Sequence, residues 1–372
     1  MNRRSFVSLA GTSAFLLPGE PARAQGLAQA AEAPNPSGKP VKMHLGTQQG
    51  PTTARMLDYL KRHGVNHICG YPPDPGANGA WTADDLKRTR DLCEQHGIAL
   101  DMVALPFLSS SHIDHERRGG IMLGESPERD RDIEQIQKMI AACAAAGIPA
   151  FKYNMSLLGV LRTGTTPGRG GSRYSTWRLA EARENPPLTR AGRVTADVAW
   201  ERISYFLDRI IPVCNELKVR AACHPHDPGV PPSGFQGVVR VLGTPDGLRK
   251  FLSIQESPYH GLNLCLGTVA EILQDPRREI HELIREFGRR KKIFNIHFRN
   301  IRGRRDDFQE VYPDEGDMDM LQVARTLQEV GYEFMLMPDH VPGHSDDPAG
   351  LQAFAFAYGY IAAILQAVAA TA

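Results

Sequence analysis

The sequence predicts an α/β protein with a closed (β/α)8 TIM barrel as a single domain over residues 41–372. Three observations carry that expectation. Strand-like and helix-like stretches alternate along the chain. The strand-like runs are short and apolar throughout, as parallel strands buried on both faces must be. Glycines stand just ahead of several of these runs, where a helix has to end before the next strand begins. A barrel accounts for the count, order and length of these units together. An open doubly wound sheet is the alternative, but no G-x-G-x-x-G follows the first strand-like run.

The eight runs span residues 41–46, 65–71, 98–105, 148–154, 219–225, 262–267, 293–300 and 334–340. Helices are expected over 52–63, 82–96, 127–146, 196–217 and 351–369, with Gly64, Gly97, Gly147 and Gly331 ahead of the following strands. Two connections that follow strand C-termini are long, 155–194 and 302–316. Loops of this length usually cover a site or are disordered, and Tyr174 and Trp177 argue for packing in the first.

The N-terminus reads differently. Arg3 and Arg4 precede Phe6 and a modest apolar run, which closes on Ala22-Arg23-Ala24. That is the pattern of a twin-arginine export signal over residues 1–24, followed by an Ala/Pro linker over 25–40. The expected location is the periplasm. The apolar run is too short to span a bilayer, so no stable membrane insertion is expected.

Lys and Arg number 43 against 42 Asp and Glu, which gives no electrostatic reason to expect a nucleic-acid partner. The six cysteines are scattered without C-x-x-C spacing and read as buried thiols, not a disulfide framework. A homo-oligomer is compatible with the sequence. There is no P-loop, no G-x-S-x-G and no H-E-x-x-H.

Four runs in the second half end in a metal-ligand residue type. AACHP carries His224, LNLCLG carries Cys265, FNIHFRN carries His297, and FMLMPDH carries Asp339 with His340 beside it. In one barrel all four would sit at the same rim, where such barrels keep their chemistry. Alone, Cys265 reads as a core thiol, His297 as a satisfied core imidazole and Asp339 as a helix cap. Their joint placement at strand ends favours a metal site. Two nitrogens, one sulfur and one oxygen suit Mn, Fe, Co or Zn better than Mg or Ca. A tetrahedral ion would make the site closed and structural. An octahedral one, Mn2+ or Fe2+, would leave two positions for substrate oxygens. The polar neighbours His226, Asp227, Arg299, Asn300 and His340 favour the open site.

HPHDPG at 224–229, LCLG at 264–267, HFRN at 297–300, DEGDMDM at 314–320 and PDH at 338–340 resemble the mannonate dehydratase family in order and spacing. Tyr153-Asn154 and Arg162-Thr163 fit the same family. The resemblance implies a metal-dependent barrel that eliminates water from D-mannonate, or a related aldonate or uronate, to give a 2-keto-3-deoxy acid. It implies His224, Cys265, His297 and Asp339 as ligands, His340 as an acid/base group and Arg299 as a grip on substrate oxyanions. His226, Asp227, Tyr153, Asn154 and Asn300 are the expected substrate-binding residues.

Metal beside a carboxylate stabilises the charge that develops when the neighbouring proton leaves, and a guanidinium can grip the same group. The chain departs from the family pattern at His226 and Gly229, and at the tyrosine the family carries after PDH. Here Tyr358 and Tyr360 read as helix packing, and His344 and Asp346 lie in the same stretch. A metal-dependent sugar isomerase or epimerase on the same barrel is the alternative function, and a non-catalytic sugar-binding protein is the third.

Overall fold

Eight parallel strands close into a barrel in the computed structural model, which describes residues 41–76 and 79–371. The barrel strands, numbered in chain order, are β1 (His44–Thr47), β2 (His67–Gly70), β3 (Ala99–Ala104), β4 (Ala150–Asn154), β7 (Arg220–His224), β8 (His260–Cys265), β9 (Ile293–His297) and β12 (Met335–Met337). They neighbour one another in sequence order, and β12 closes the ring against β1. The helices are α1 (Ala54–Arg62), α2 (Ala83–Gln95), α3 (Gly120–Leu123), α4 (Glu128–Ala146), α5 (Ala196–Leu217), α6 (Pro245–Ser253), α7 (Leu266–Ala270), α8 (Pro276–Arg289), α9 (Met320–Glu329) and α10 (Leu351–Thr371). The export signal and linker expected over residues 1–40 lie outside the described residues.

Local chemistry sets these boundaries. Thr82 opens α2 with a reciprocal capping box: its side chain accepts from the Asp85 N–H, and Asp85 accepts from the Thr82 N–H at 2.8 Å. Thr195 caps α5 one way, its side chain accepting from the Val198 N–H, and the helix ends where Lys218 turns left-handed. The last strand is shorter than expected. β12 stops at Met337, so Asp339 and His340 stand on the loop beyond it and not on the strand.

All six cysteines are free and buried. By length and composition α10 is apolar enough to cross a membrane. One stripe of it, including Ala357, Tyr358, Ile361 and Val368, is nevertheless buried in the fold. Tyr358 binds Thr47 Oγ1 at 2.7 Å and Gln49 Oε1 at 3.0 Å, so it is a packing residue that ties α10 to the end of β1. His344 is also held in a loop, by its contact with Gly170 O at 3.0 Å.

The two long connections are not separate coverings. The first supplies β5 (Gly164–Pro167) and β6 (Arg173–Arg178), and the second supplies β10 (Ile301–Arg304) and β11 (Asp307–Glu310). Together they form one antiparallel four-stranded sheet in the order β10-β11-β6-β5. Phe308 pairs with Trp177 across its centre. Trp177 is 2% exposed and meets Phe235 edge-on at 5.6 Å between ring centres. Truncating such a buried ring costs about 3–5 kcal/mol, which is why this sheet is a fixed part of the fold.

Candidate metal centre

β7, β8 and β9 end on His224, Cys265 and His297, and Asp339 lies two residues past β12. Strand register puts Cys265 opposite His297 and His297 opposite Met337. One donor atom from each of the four residues falls within 4.8 Å of the others.

The donor set fits a divalent transition metal. His224 Nδ1 lies 2.7 Å from the Pro225 carbonyl, which can only accept, so the proton sits on Nδ1 and Nε2 is free to ligate. Burial pushes His224 down to about 3 and His297 to about 4, so both rings are neutral donors. Asp339 is buried, and its Oδ1 accepts no hydrogen bond among the described residues, its charge met only by the Arg299 Nε ion pair at 3.4 Å. Leaving such an oxygen unpaired is costly, and a cation at this point satisfies it. Burial pushes the Cys265 thiol up, but its sulfur accepts from Thr268 N at 3.4 Å and from Arg299 Nη2 at 3.2 Å. Both contacts favour the thiolate that a metal requires.

Behind the donors lies a buried charge network. Arg299 reaches Asp227 at 2.8 Å, Glu271 at 3.0 Å and Asp339 at 3.4 Å, and also contacts Glu310. Arg162 bonds Asp227 at 2.7 Å and contacts Glu310 as well. Burial raises the Glu271 carboxyl to about 8, with Asp227 adding to the effect, so it is protonated at neutral pH. His340 sits 3.0 Å from Glu310. Burial alone would lower its pKa, but Glu310 and Asp339 outweigh it and hold the imidazole at about 9. The His340 side chain is 36% exposed at the cleft, so water screens part of that pull. Arg162, Arg299 and His340 therefore balance Asp227, Glu310 and Asp339.

Several expected substrate contacts turn out to be structural. Arg299 does not line the cleft; its guanidinium is committed to carboxylates and to the Cys265 sulfur. Gly267 of LCLG permits this, because a Cβ there would come within 2.6 Å of Arg299 Nε. Asn300 is buried and bonds Pro313 O, Met318 O, Ile301 N and Met318 N. Gly316 of DEGDMDM lets it in, since a Cβ there would lie 2.1 Å from its amide. The HFRN and GDMDM motifs are thus one packing unit.

His226 donates from Nε2 to Met155 O at 2.8 Å and accepts from Leu242 N on Nδ1. Burial, with Arg240 nearby, drives it down to about 3, so its departure from the family pattern brings no charge to the cleft. Tyr153 faces Phe206 in the core at 5.4 Å between rings. Asn154 and Asp227 do line the cleft, though Asp227 is tied to both arginines.

Sequence reasoning passed over Lys152 and Gln48. Both line the cleft beside His224, His297, Asp339 and His340. Lys152 is partly buried, and its ammonium bonds Gln48 Oε1. Burial lowers its pKa, opposed by Cys69, Asp339 and Cys265. No ion-pair partner for it is present among the described residues. The available signal was a lysine inside AFKYN, an otherwise apolar barrel strand. A roomier surface cleft of about 1220 Å3, against about 410 Å3 here, runs past Arg277 and Arg305 and holds none of the four donors.

These features define a barrel enzyme with a four-donor metal site at its C-terminal rim. The D-mannonate dehydratase family model matches residues 171–371. Mannonate dehydratase of Thermotoga neapolitana is 27% identical over 314 residues, covering 74% of this chain and 82% of that protein. Mannonate dehydratase 2 of Halalkalibacterium halodurans is 27% identical over 320 residues, covering 78% and 88%. The crystal structure of mannonate dehydratase from Streptococcus suis superposes with a TM-score of 0.74 at 23% identity, covering 88% of this chain and 95% of that one. The chain belongs to the D-mannonate dehydratase family, and it is a sugar-acid hydro-lyase.

Proposed function

We propose that this cleft removes water from D-mannonate or a closely related aldonate or uronate, with Mn2+ or Fe2+ held by His224, Cys265, His297 and Asp339. The observation that carries the reading is the gathering of Lys152 and His340 in one cleft beside the four donors. A sugar acid brings one negative charge, and Lys152 is the cation left to receive it. The departing hydroxyl needs a proton. His340 is held protonated through its Nδ1 contact with Glu310, which leaves Nε2–H to face that hydroxyl. The bound metal supplies Lewis-acid stabilisation of the charge developing beside the carboxylate. Loss of one proton and one hydroxide from adjacent carbons gives water and an enol, which becomes the 2-keto-3-deoxy acid.

The direct test is metal analysis of purified protein together with a screen of aldonates and uronates for 2-keto-3-deoxy products. Turnover of neutral sugars without water loss would replace this reading with an isomerase. Glu310→Gln tests the acid. His340 then falls back toward its usual 6.5, and kcat should be lost at lower pH than in the parent, where loss tracks a group near 9. An unshifted alkaline limb would remove His340 from that role.

Export of the chain is supported by Arg3, Arg4 and Ala22-Arg23-Ala24. Changing both arginines to lysine should leave the full-length protein in the cytoplasm. Equal periplasmic amounts from parent and variant would rule the pathway out.

A further inference from the structure

We propose that the opposite, N-terminal face of the barrel holds a second divalent transition-metal site, built from His44, His67 and Asp101. These residues lie on β1, β2 and β3, and nothing in the dehydration chemistry uses them. One donor atom from each falls within 4.8 Å of the others.

The backbone is shaped for this cluster. His44 and His67 open their strands. Pairing of β2 with β3 slips between Ile68–Leu100 and Cys69–Met102, leaving Asp101 as the extra residue of a bulge. Bulges re-aim side chains, and here the carboxylate turns toward both imidazoles. Asp101 Oδ2 lies 3.2 Å from His44 Nε2 and 2.8 Å from His67 Nδ1. The two rings lie with centroids 3.7 Å apart, tilted 31° to each other. Donors about 2.0–2.1 Å from a tetrahedral ion stand roughly 3.3 Å apart, close to the spacing seen here.

The hydrogen bonding behind His44 supports the same conclusion. Its Nδ1 lies 3.2 Å from the Lys42 carbonyl, which can only accept. The proton therefore sits on Nδ1, as in imidazoles whose other nitrogen binds a metal. Nε2 then faces Asp101 Oδ2, where one metal ion would bind both atoms. Arg220, the other cation acting on Asp101, has its guanidinium 4.5 Å above the Phe334 ring. The three side chains are 26–30% exposed, so water can complete the coordination. Two imidazoles and one carboxylate with open positions suit Zn, Ni or Co.

Cobalt(II) titration of the full chain separates the two sites. Two equivalents should bind, and only one should give a near-ultraviolet sulfur-to-cobalt band, because only the upper cluster holds a thiol. His67→Gln and, separately, Asp101→Asn should cut binding from two equivalents to one while keeping the sulfur band and the dehydratase activity. Cys265→Ser should remove the sulfur band and leave the floor site filled. One equivalent in the parent protein, carrying the sulfur band, overturns the proposal. So do two equivalents that survive His67→Gln. Floor binding without the sulfur band would sustain this site and sink the upper one.

Discussion

The two halves of the barrel bring different things to the same cleft. β7, β8, β9 and the loop after β12 bring the four donors, packed within 4.8 Å. β1 to β4 bring none of them; they and the loops that follow bring Gln48, Ser110, Lys152 and Asn154. The second half is crowded with paired charge: Arg299 is committed to carboxylates, and Asp227 and Glu310 also take Arg162 from the loop after β4. The first half offers one cation with nothing to neutralise it among the described residues. On the proposed function the donor half would hold the ion, and the other half would receive the anion that approaches it.

The division can be broken most easily at the donors. His297→Ala should lower kcat/KM on the order of 10^3-fold or more, the scale of several kcal/mol of lost Lewis-acid stabilisation, with the metal content falling alongside. Activity retained without metal would end the two-part description.

Arg299→Lys should cost about 10- to 100-fold in metal affinity, because it disturbs the partners of Cys265 and Asp339 and not the substrate. Equilibrium dialysis reads this. A rise in KM at unchanged metal affinity would return Arg299 to the substrate side.

Lys152→Met should raise KM for the sugar acid about tenfold, the low end of a charged hydrogen bond's worth, and leave metal content as it was. Metal loss in that variant would erase the distinction between the halves.

The smallest effect is on stability. Glu271 is raised from 4.5 to about 8 in the fold by burial and by Asp227. Between those values the folded state holds a proton that the unfolded chain has lost, so stability falls as pH rises through the window. Glu271→Gln should flatten that part of a Tm-against-pH curve, and an unchanged slope would mean that another group titrates there.

The barrel was legible because its strands are unbroken apolar runs and its helices end at glycines. The donors stood out because His224, Cys265 and His297 are strand-final in such runs. Their partners did not stand out. Glu271 and Glu310 sit in helix-end and hairpin segments where an acid normally means solvent, and only the closed barrel buries them. Arg299, Asn300, His226 and Tyr153 carry the right chemistry one to three residues from a donor or from Asn154. Their side chains turn into packing instead of the cleft, a choice that depends on neighbours far away in sequence such as Gly316 and Leu242. Lys152 was passed over because a strand pattern does not say which end of the barrel interior a residue faces.

The joined cap sheet has one more consequence. Its strand β11 ends on Glu310, the carboxylate that keeps His340 charged. Two loops whose paired residues stand 129 to 133 positions apart must therefore be knitted together before that contact exists. Any opening of the sheet that draws β11 outward also takes away the imidazole's proton-holding partner. The cap and that contact are one unit, so a chain whose cap sheet is unformed lacks the carboxylate beside His340.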